Sequence, residues 1–562
     1  MEKRIFIAVL ISLAFLWLWT AAAPKLFPEL AKQPPKPTPV TQKAPATTTT
    51  TTAPVTTSST ATTAATTTQP APSARQADAT TAPAAAPVAA AETVYTVVDT
   101  PEFTARFTNR GAQLTSFKLK HYLEKDGSPV ELVKAREASR TDFPFAVEST
   151  DGALAAKLNT GLYSLSDRTE DGHRVLEYRW SDGKVSATKT FRLGADYLFD
   201  FSCSVTPPTP YRVVVGPGIR TLAGDEKDSQ FIVTGNGVVQ REDKLKVINR
   251  EKTDIISNLG SVEYVGVEDN YFLVALKPTK ARDGILRRVE LPTGPKTKRR
   301  DLYAGLNAMP DGVVTGSAFF GPKQTQILDQ YGLEKTLQFG MFGVIARVLL
   351  TALMWINSFI HNYGWSIVLL TVIIKLLLYP LQHKQNVSMK KMQRLQPKME
   401  AIRNRYKKSK SDVEQRNKMN QEIMGLYQKE GINPMGGCWP ILLQIPILWG
   451  FYGLLSRSIE LRGAPWILWI HDLSVKDPYY VLPLLMTITM FIQQAITPAT
   501  GDAAQRRMFL IMPLIFGWIF KEFPSGLVLY WLVQNILTIA QMMIMNKYWK
   551  EHPDDAKPGG GA

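Results

Sequence analysis

Cysteine is nearly absent from this chain. Its 562 residues include two, Cys203 and Cys438, too few for a disulfide framework or a cysteine-based metal cluster. The large polar part must therefore hold together on its own core. Histidine is also scarce, with six residues. His121 and His173 stand isolated, as exposed or structural residues do, and no metal-ligand cluster or nucleophile–base arrangement accompanies them. No catalytic residue, metal or cofactor is expected, and the chain is not read as an enzyme. No P-loop is present, so nothing implies ATP. Acidic residues are outnumbered: 49 Asp and Glu face 65 Lys and Arg, a net charge of +16. No nucleic-acid motif accompanies the excess, which excludes a sequence-specific nucleic-acid partner from the reading.

Large apolar residues are distributed unevenly. Lys3-Arg4 precede an apolar run from Ile5 to Ala23. The run would form a helix of about 28 Å, nearly the thickness of the hydrocarbon core, and Pro24 disfavours cleavage after Ala21-Ala22-Ala23. Residues 1–23 are read as an uncleaved anchor. Residues 24–91 are Pro, Thr and Ala with almost no large apolar side chain. They bury too little to offset chain entropy and are read as a disordered tether. Residues 92–325 read as an all-β domain. Phe103, Ala105 and Phe107 alternate with polar residues, as do Phe199, Phe201, Cys203 and Val205, while Asn109-Arg110-Gly111 and Gly235-Asn236-Gly237 offer turns. Many short strands suggest a sandwich.

The last 200 residues carry most of the long apolar runs. Region 326–362 contains an amphipathic helix, Phe342–His361, with Phe342, Ile345, Leu349, Leu353, Ile356 and Ile360 on one side and Arg347, Thr351, Ser358 and His361 on the other. That pattern suits a membrane interface. Five spans follow within 363–545: Tyr363–Leu381, Met435–Leu455, Tyr479–Ile496, Met508–Phe523 and Gly526–Met545. Pro440, Pro446, Pro483 and Pro513 interrupt three of them, which implies a packed bundle. With the anchor this makes a six-span helical membrane protein bearing an all-β domain. Residues 546–562 form a tail.

Orientation follows from charge. Gln382–Met435 holds thirteen Lys/Arg against five Asp/Glu, a net of +8, and the positive-inside rule assigns it to the cytoplasm. Both termini are then cytoplasmic and the β-domain and the Ser456–Pro478 loop lie outside. The basic segment 382–434 reads as a helical hairpin. Met389, Met392, Met399, Ile402 and Tyr406 share helical spacing, Ser409-Lys410-Ser411 breaks it, and Ser411-Asp412-Val413-Glu414 is a capping box. The apolar stripes suit packing on each other, and the methionines also suit contact with varied apolar partners.

Lys375 lies within the first of the five spans. An ionised group there costs ~2.5–3.5 kcal/mol on insertion scales and usually faces protein or a wet cavity; snorkelling to the near interface is the alternative. Gln444, Thr487, Thr489, Gln493 and Gln494 add polar groups in two more spans. In the last, Trp531, Gln534, Thr538 and Gln541 recur at i, i+3, i+7 and i+10. Helix glue explains some of these groups; four spans contributing polarity beside a lysine suggest a hydrated groove.

Several segments resemble the YidC insertase family of the Gram-negative type: Tyr363-Gly364-Trp365-Ser366-Ile367, Tyr379-Pro380-Leu381, Leu395-Gln396-Pro397-Lys398, Asn433-Pro434-Met435-Gly436-Gly437-Cys438, Gln444-Ile445-Pro446, Trp469-Ile470-His471-Asp472-Leu473, Asp477-Pro478-Tyr479-Tyr480 and Phe523-Pro524-Ser525-Gly526-Leu527. Tyr264 to Phe272 and Gly321-Pro322-Lys323 resemble its periplasmic domain, although the family usually has Trp at the Tyr264 position. The resemblance implies a periplasmic β-supersandwich and a five-span core in the inner membrane. It also implies a water-filled groove, closed outward, with Lys375 attracting acidic substrate tails and Thr371 and Trp531 touching the substrate span. The groove set is Lys375, Thr371, Gln444, Trp531, Gln534 and Thr538; Met389, Met392 and Met399 would meet substrate on the cytoplasmic side. Implied partners are nascent membrane proteins, the Sec translocon, the lipid bilayer, and the ribosome or targeting factors at the basic face. A solute transporter would use similar polar spans, but no internal inverted repeat is evident. Ser525 lacks a paired base, which argues against an intramembrane protease.

Overall fold

The computed structural model describes residues 86–124, 126–134, 142–221, 234–242, 244–252, 256–280, 282–292, 298–406, 413–430, 439–496, 503–551. The expected anchor, nearly all of the tether, Ser411-Asp412 of the capping box, the Asn433–Cys438 motif and the end of the tail lie outside these residues.

Among the described residues, eighteen strands form three antiparallel sheets. A four-stranded sheet runs in the order β1 (Tyr95–Asp99), β2 (Phe103–Thr108), β3 (Gln113–Leu123), β4 (Pro129–Glu131). A nine-stranded sheet is ordered β12 (Lys244–Ile248), β11 (Thr234–Arg241), β14 (Tyr264–Asp269), β15 (Phe272–Pro278), β18 (Val313–Pro322), β9 (Leu198–Thr206), β8 (Ser186–Leu193), β7 (His173–Ser181), β6 (Ser164–Glu170). The third sheet is β13 (Ile256–Val262), β16 (Arg282–Pro292), β17 (Lys298–Asn307), β10 (Tyr211–Val215), β5 (Ala146–Ser149). Phe103, Ala105 and Phe107 are buried, as are Phe199, Phe201, Cys203 and Val205. These are the alternate positions of each strand, as a period of two requires. Rings from the small sheet meet rings of the large one: Phe117 lies 5.2 Å from Phe320 and Phe107 4.8 Å from Phe191.

Two expectations change here. Val88 exchanges backbone hydrogen bonds with Ser181, and the Ala90 amide donates to the Leu162 carbonyl. The tether therefore ends before Ala91, because pairing with a sheet edge uses main-chain groups that composition does not report. Gly235-Asn236-Gly237 is not a turn. It lies within β11, where the register shifts between Thr234 and Asn236 and Gly235 has φ +69°. Any Cβ at Gly237 would strike Leu286 of the facing sheet. One glycine permits a bulge, the other a close approach.

Two short helices belong to the β-domain region, α1 (Gly152–Thr160) and α2 (Thr325–Tyr331). Among the described residues seven longer helices follow: α3 (Gly343–Ile360), α4 (Tyr363–Arg405), α5 (Val413–Lys429), α6 (Trp439–Arg457), α7 (Val481–Ile496), α8 (Ala503–Phe520) and α9 (Ser525–Glu551). The segments read as a span and a first hairpin arm form the single helix α4, with Pro380 and Pro397 inside it. Its 43 residues extend about 64 Å, twice a hydrocarbon core, so roughly half must project beyond the bilayer. Among the described residues, Gly343–Ile360, Tyr363–Arg405 and Ser525–Tyr548 are long and apolar enough to cross a membrane, and Val481–Ile496 and Leu510–Phe520 are shorter apolar helices.

Helix α3 lies across the bundle. Near its start, a side chain at Gly453 would collide with the Phe339 carbonyl. Near its end, the Ser366 hydroxyl is 3.5 Å from Asn357 Oδ1. Both contacts fall within a few residues of the same-side ends of α6 and α4; a helix parallel to its neighbours would separate them by about 27 Å. The helix buries Ala346, Leu349, Leu350, Leu353 and Ile356. Its opposite side is less polar than expected, with Val344, Val348, Trp355 and Phe359 exposed beside Arg347 and Thr351.

Candidate functional site

The last helix organises the site. Helix α9 packs on α4, α6 and α7, and its polar residues point to different neighbours. Lys375 of α4 is buried, with 7% of its surface exposed. Its Nζ donates to Thr538 Oγ1 at 2.9 Å, and the Thr538 hydroxyl donates onward to the Gln534 carbonyl at 2.7 Å. The lysine thus enters the α4–α9 seam, while Leu376 and Leu377 beside it are exposed. Counting 12 residues from Tyr363 puts its Cα about 18 Å into the helix, past the midpoint of a ~30 Å core. Among the described residues no carboxylate pairs with it.

Gln444 donates its amide to the Tyr530 hydroxyl and so joins α6 to α9. The Tyr530 ring stacks on Phe451 at 4.3 Å. Trp531 turns toward α8, with Phe520 at 5.2 Å and Phe516 at 6.1 Å. Thr371 is fully buried, and its hydroxyl donates to the Ile367 carbonyl one turn back at 2.6 Å. Of the six expected groove residues, the structure therefore brings Lys375 and Thr538 together, with Gln534 joined only through its main-chain carbonyl. It ties Gln444 to a tyrosine, places Trp531 in an aromatic cluster and encloses Thr371 within the packing.

Two members escaped the sequence reading. Asn535 is buried and donates to Thr489 Oγ1 at 3.2 Å and the Met486 carbonyl at 3.4 Å, fastening α9 to α7. An amide in an apolar run was the available signal, but Asn535 falls off the stripe and Tyr530 reads as apolar. Gln541, on the stripe, is buried, and among the described residues both its amide atoms lack a hydrogen-bond partner.

In the basic hairpin, Met392 and Leu395 are buried with Tyr427 of α5 packed against them, and Met399 is buried too. Met389 is half-buried, with the Gln385 amide 3.8 Å from its sulfur. Packing accounts for two of the three methionines and leaves Met389 accessible.

The 458–478 loop packs over the end of the bundle that faces the β-domain. Trp466 sits against Gly364, where any larger residue would collide with its ring, and its carbonyl accepts from Asn362 Nδ2 at 3.1 Å. Trp469 Nε1 donates to Asp477 at 3.0 Å, whose other oxygen accepts from the Leu482 amide at 2.7 Å. The Ser525 hydroxyl is buried and donates to the Asp472 carbonyl at 3.1 Å. It locks the loop to the start of α9. Burial pushes the Asp472 carboxyl upward, opposed by hydrogen bonds from Ser474.

The same loop meets the β-domain. Asn270 Nδ2 donates to the Ser456 carbonyl at 2.8 Å, and Arg462 pairs with Glu124 at 3.0 Å. Behind them Arg220 pairs with Asp269 at 2.6 Å and Lys323 with Glu268 at 2.8 Å. The last pair unites the two β-domain motifs. Burial raises the Glu268 carboxyl, with Lys323 opposing.

Known proteins are similar to this chain over most of its length. The family described as the 60Kd inner membrane protein matches residues 355–552, and the YidC periplasmic domain matches 95–352. A Membrane protein insertase YidC of Geobacter metallireducens is 35% identical over 569 residues, covering 97% of this chain and 98% of that one. Its counterpart from Geobacter sulfurreducens is 37% identical over 568 residues, with the same coverage. A crystal structure of an active YidC insertase with its first transmembrane domain resolved covers 81% of this chain and 94% of its own, at 19% identity and a TM-score of 0.34.

Proposed function

Since the chain belongs to the YidC family of inner-membrane proteins with a periplasmic domain, we propose that it inserts other proteins into the bilayer and helps them fold there. The observation that carries the mechanism is Lys375. A buried ammonium bonded to one hydroxyl, with no described carboxylate beside it, is a standing attraction for an acidic segment. Charge-assisted hydrogen bonds are about twice as strong as neutral ones. Its entry into the seam supports a groove residue over a snorkelling one, and Thr538 supplies the neighbouring polar group.

In this reading a substrate's polar tail enters from the cytoplasmic side and is held near Lys375. The closed outer loop keeps the groove from becoming a pore. The substrate's apolar segment then moves into lipid, gaining ~25 cal/mol for each Å² of apolar surface removed from water. Nothing in this sequence of steps makes or breaks a covalent bond. Met389 offers a cytoplasmic contact; Met392 and Met399 would join it when the hairpin opens. Trp531 and Thr371 become accessible when substrate parts α4 and α8 from α9. Both termini and the basic hairpin are assigned to the cytoplasm, where the ribosome or targeting factors would meet the hairpin, and the Sec translocon is the partner for larger substrates.

The test is reconstitution. The purified chain in liposomes should protect a short single-span substrate from added protease, and empty liposomes should not. Equal protection in both would refute the proposal.

A further inference from the structure

Beneath the β-domain lies a groove of about 1200 Å³ that the insertion mechanism does not use. Its floor is the segment leading into α3. Leu337 and Phe339 are buried, Arg457 donates to the Gln338 carbonyl, and Gly453 lets the Phe339 backbone rest on α6. One wall is α3 and the other includes Leu245 of β12.

The chemistry of the walls is divided. Val344, Val348 and Trp355 line the groove and are 82%, 65% and 65% exposed. Phe359, also exposed, extends this apolar face along the helix at a spacing near a multiple of 3.6, and exposed Met341 lies just before the helix starts. Among the described residues, the charged residues lining the groove are Lys335 and Arg347, and no acidic residue lines it. Arg347 is exposed, and its guanidinium has no ion pair or hydrogen bond with any described residue. A rigid floor, an apolar wall and two cations match an amphiphile with an anionic head.

We propose that this groove holds one anionic phospholipid from the leaflet beneath the β-domain. The phosphate sits between Arg347 and Lys335, and the upper acyl chains lie along Val344, Val348 and Trp355. A guanidinium suits a phosphate geometrically, since its donors can engage two oxygens at once. Inorganic phosphate would pair with Arg347 and leave the apolar wall wet. A substrate helix would cover the wall and carries no obligatory anion for Arg347. The bound lipid fixes α3 in the interface, at the joint between the β-domain and the spans.

Native mass spectrometry of the full chain in neutral detergent tests this, with phosphatidylglycerol, phosphatidylcholine and inorganic phosphate as probes. One phosphatidylglycerol should bind at least tenfold more tightly than phosphatidylcholine, and inorganic phosphate should not displace it at millimolar concentration. Arg347→Gln should weaken phosphatidylglycerol about tenfold, and Arg347→Lys should restore most of the loss. A second readout leaves the charge untouched: phosphatidylglycerol with brominated acyl chains should quench wild-type fluorescence more than that of Trp355→Phe. Equal affinity for the two lipids, unchanged binding by Arg347→Gln, equal quenching in Trp355→Phe, displacement by phosphate, or tighter competition from an apolar helical peptide would each overturn the assignment.

Discussion

Replacing Lys375 by Met should separate stability from function, because the two respond with opposite signs. A lysine near the centre of a span costs ~2.5–3.5 kcal/mol on insertion scales. Its bond to Thr538 at 2.9 Å recovers part of this, since a hydrogen bond to a charged group contributes about 1.5–3 kcal/mol. Lys375→Met removes both and fills a similar volume, so the bundle should keep its stability or gain about 1 kcal/mol. Insertion should move the other way. A carboxylate about 4 Å from the ammonium gains ~1 kcal/mol in water and ~4 kcal/mol at an effective dielectric of ~20. A wet groove lies between these limits, so insertion of a substrate with an acidic tail should slow by about tenfold or more. Lys375→Arg should retain activity, Lys375→Glu should be worse than Lys375→Met, and neutral tails should be least affected. The assay crosses these variants with substrates of graded tail charge, beside thermal unfolding in detergent. Helix glue predicts a less stable Lys375→Met protein that fails on all tails alike. That result, or wild-type activity of Lys375→Glu on the most acidic tail, would refute the reasoning.

Other predictions address the remaining parts of the chain. Lys189 is buried in the β-domain with its ammonium on the carbonyls of Gly111 and Phe145 at 2.6 and 2.7 Å, and burial lowers its pKa to about 8. Because the folded state releases this proton first, stability should rise from about pH 8 toward the ordinary lysine value of ~10.4. The wild-type rise in melting temperature between pH 8 and 9.5, below tyrosine ionisation, should be absent from Lys189→Met. Arg220→Ala leaves Asp269 buried without its closest cation and should cost about 3–5 kcal/mol, read as a lower β-domain unfolding transition; no change would show the pair to be unimportant. In the hairpin, Met389→Ala should weaken substrate crosslinking at unchanged protease resistance, while Met392→Ala with Met399→Ala should reduce protease resistance; the reverse would exchange their roles. An impermeant thiol reagent added outside should label a cysteine at Thr104 and spare one at Ser409, and the opposite pattern would invert the topology.

Particular residues show how far local information reached. The alternation around Phe103 and Phe199 has a period of two wherever it occurs, so the β-domain core was legible without a fold. The polar stripe on α9 likewise placed Gln534 and Thr538 on one side, because 3.6 residues per turn fixes which side chains share a face. The same local information misread Gly235–Gly237, since a glycine that relieves a facing leucine in another sheet looks like one that makes a turn. It treated a span ending at Leu381 and a hairpin arm as separate segments, where the structure has the single helix α4.

By itself the sequence determined the membrane class, the β-rich domain, the basic hairpin and a lysine deep in a span, because composition, periodicity and charge are properties of a segment. Only the tertiary structure decided which polar side chains meet. It gave Lys375 to Thr538, Gln444 to Tyr530, Asn535 to Thr489 and Trp531 to the α8 phenylalanines. It also laid α3 across the bundle with Arg347 above an apolar groove. These pairings join residues up to 163 positions apart. They depend on how helices rotate about their own axes when they pack, which no single segment encodes.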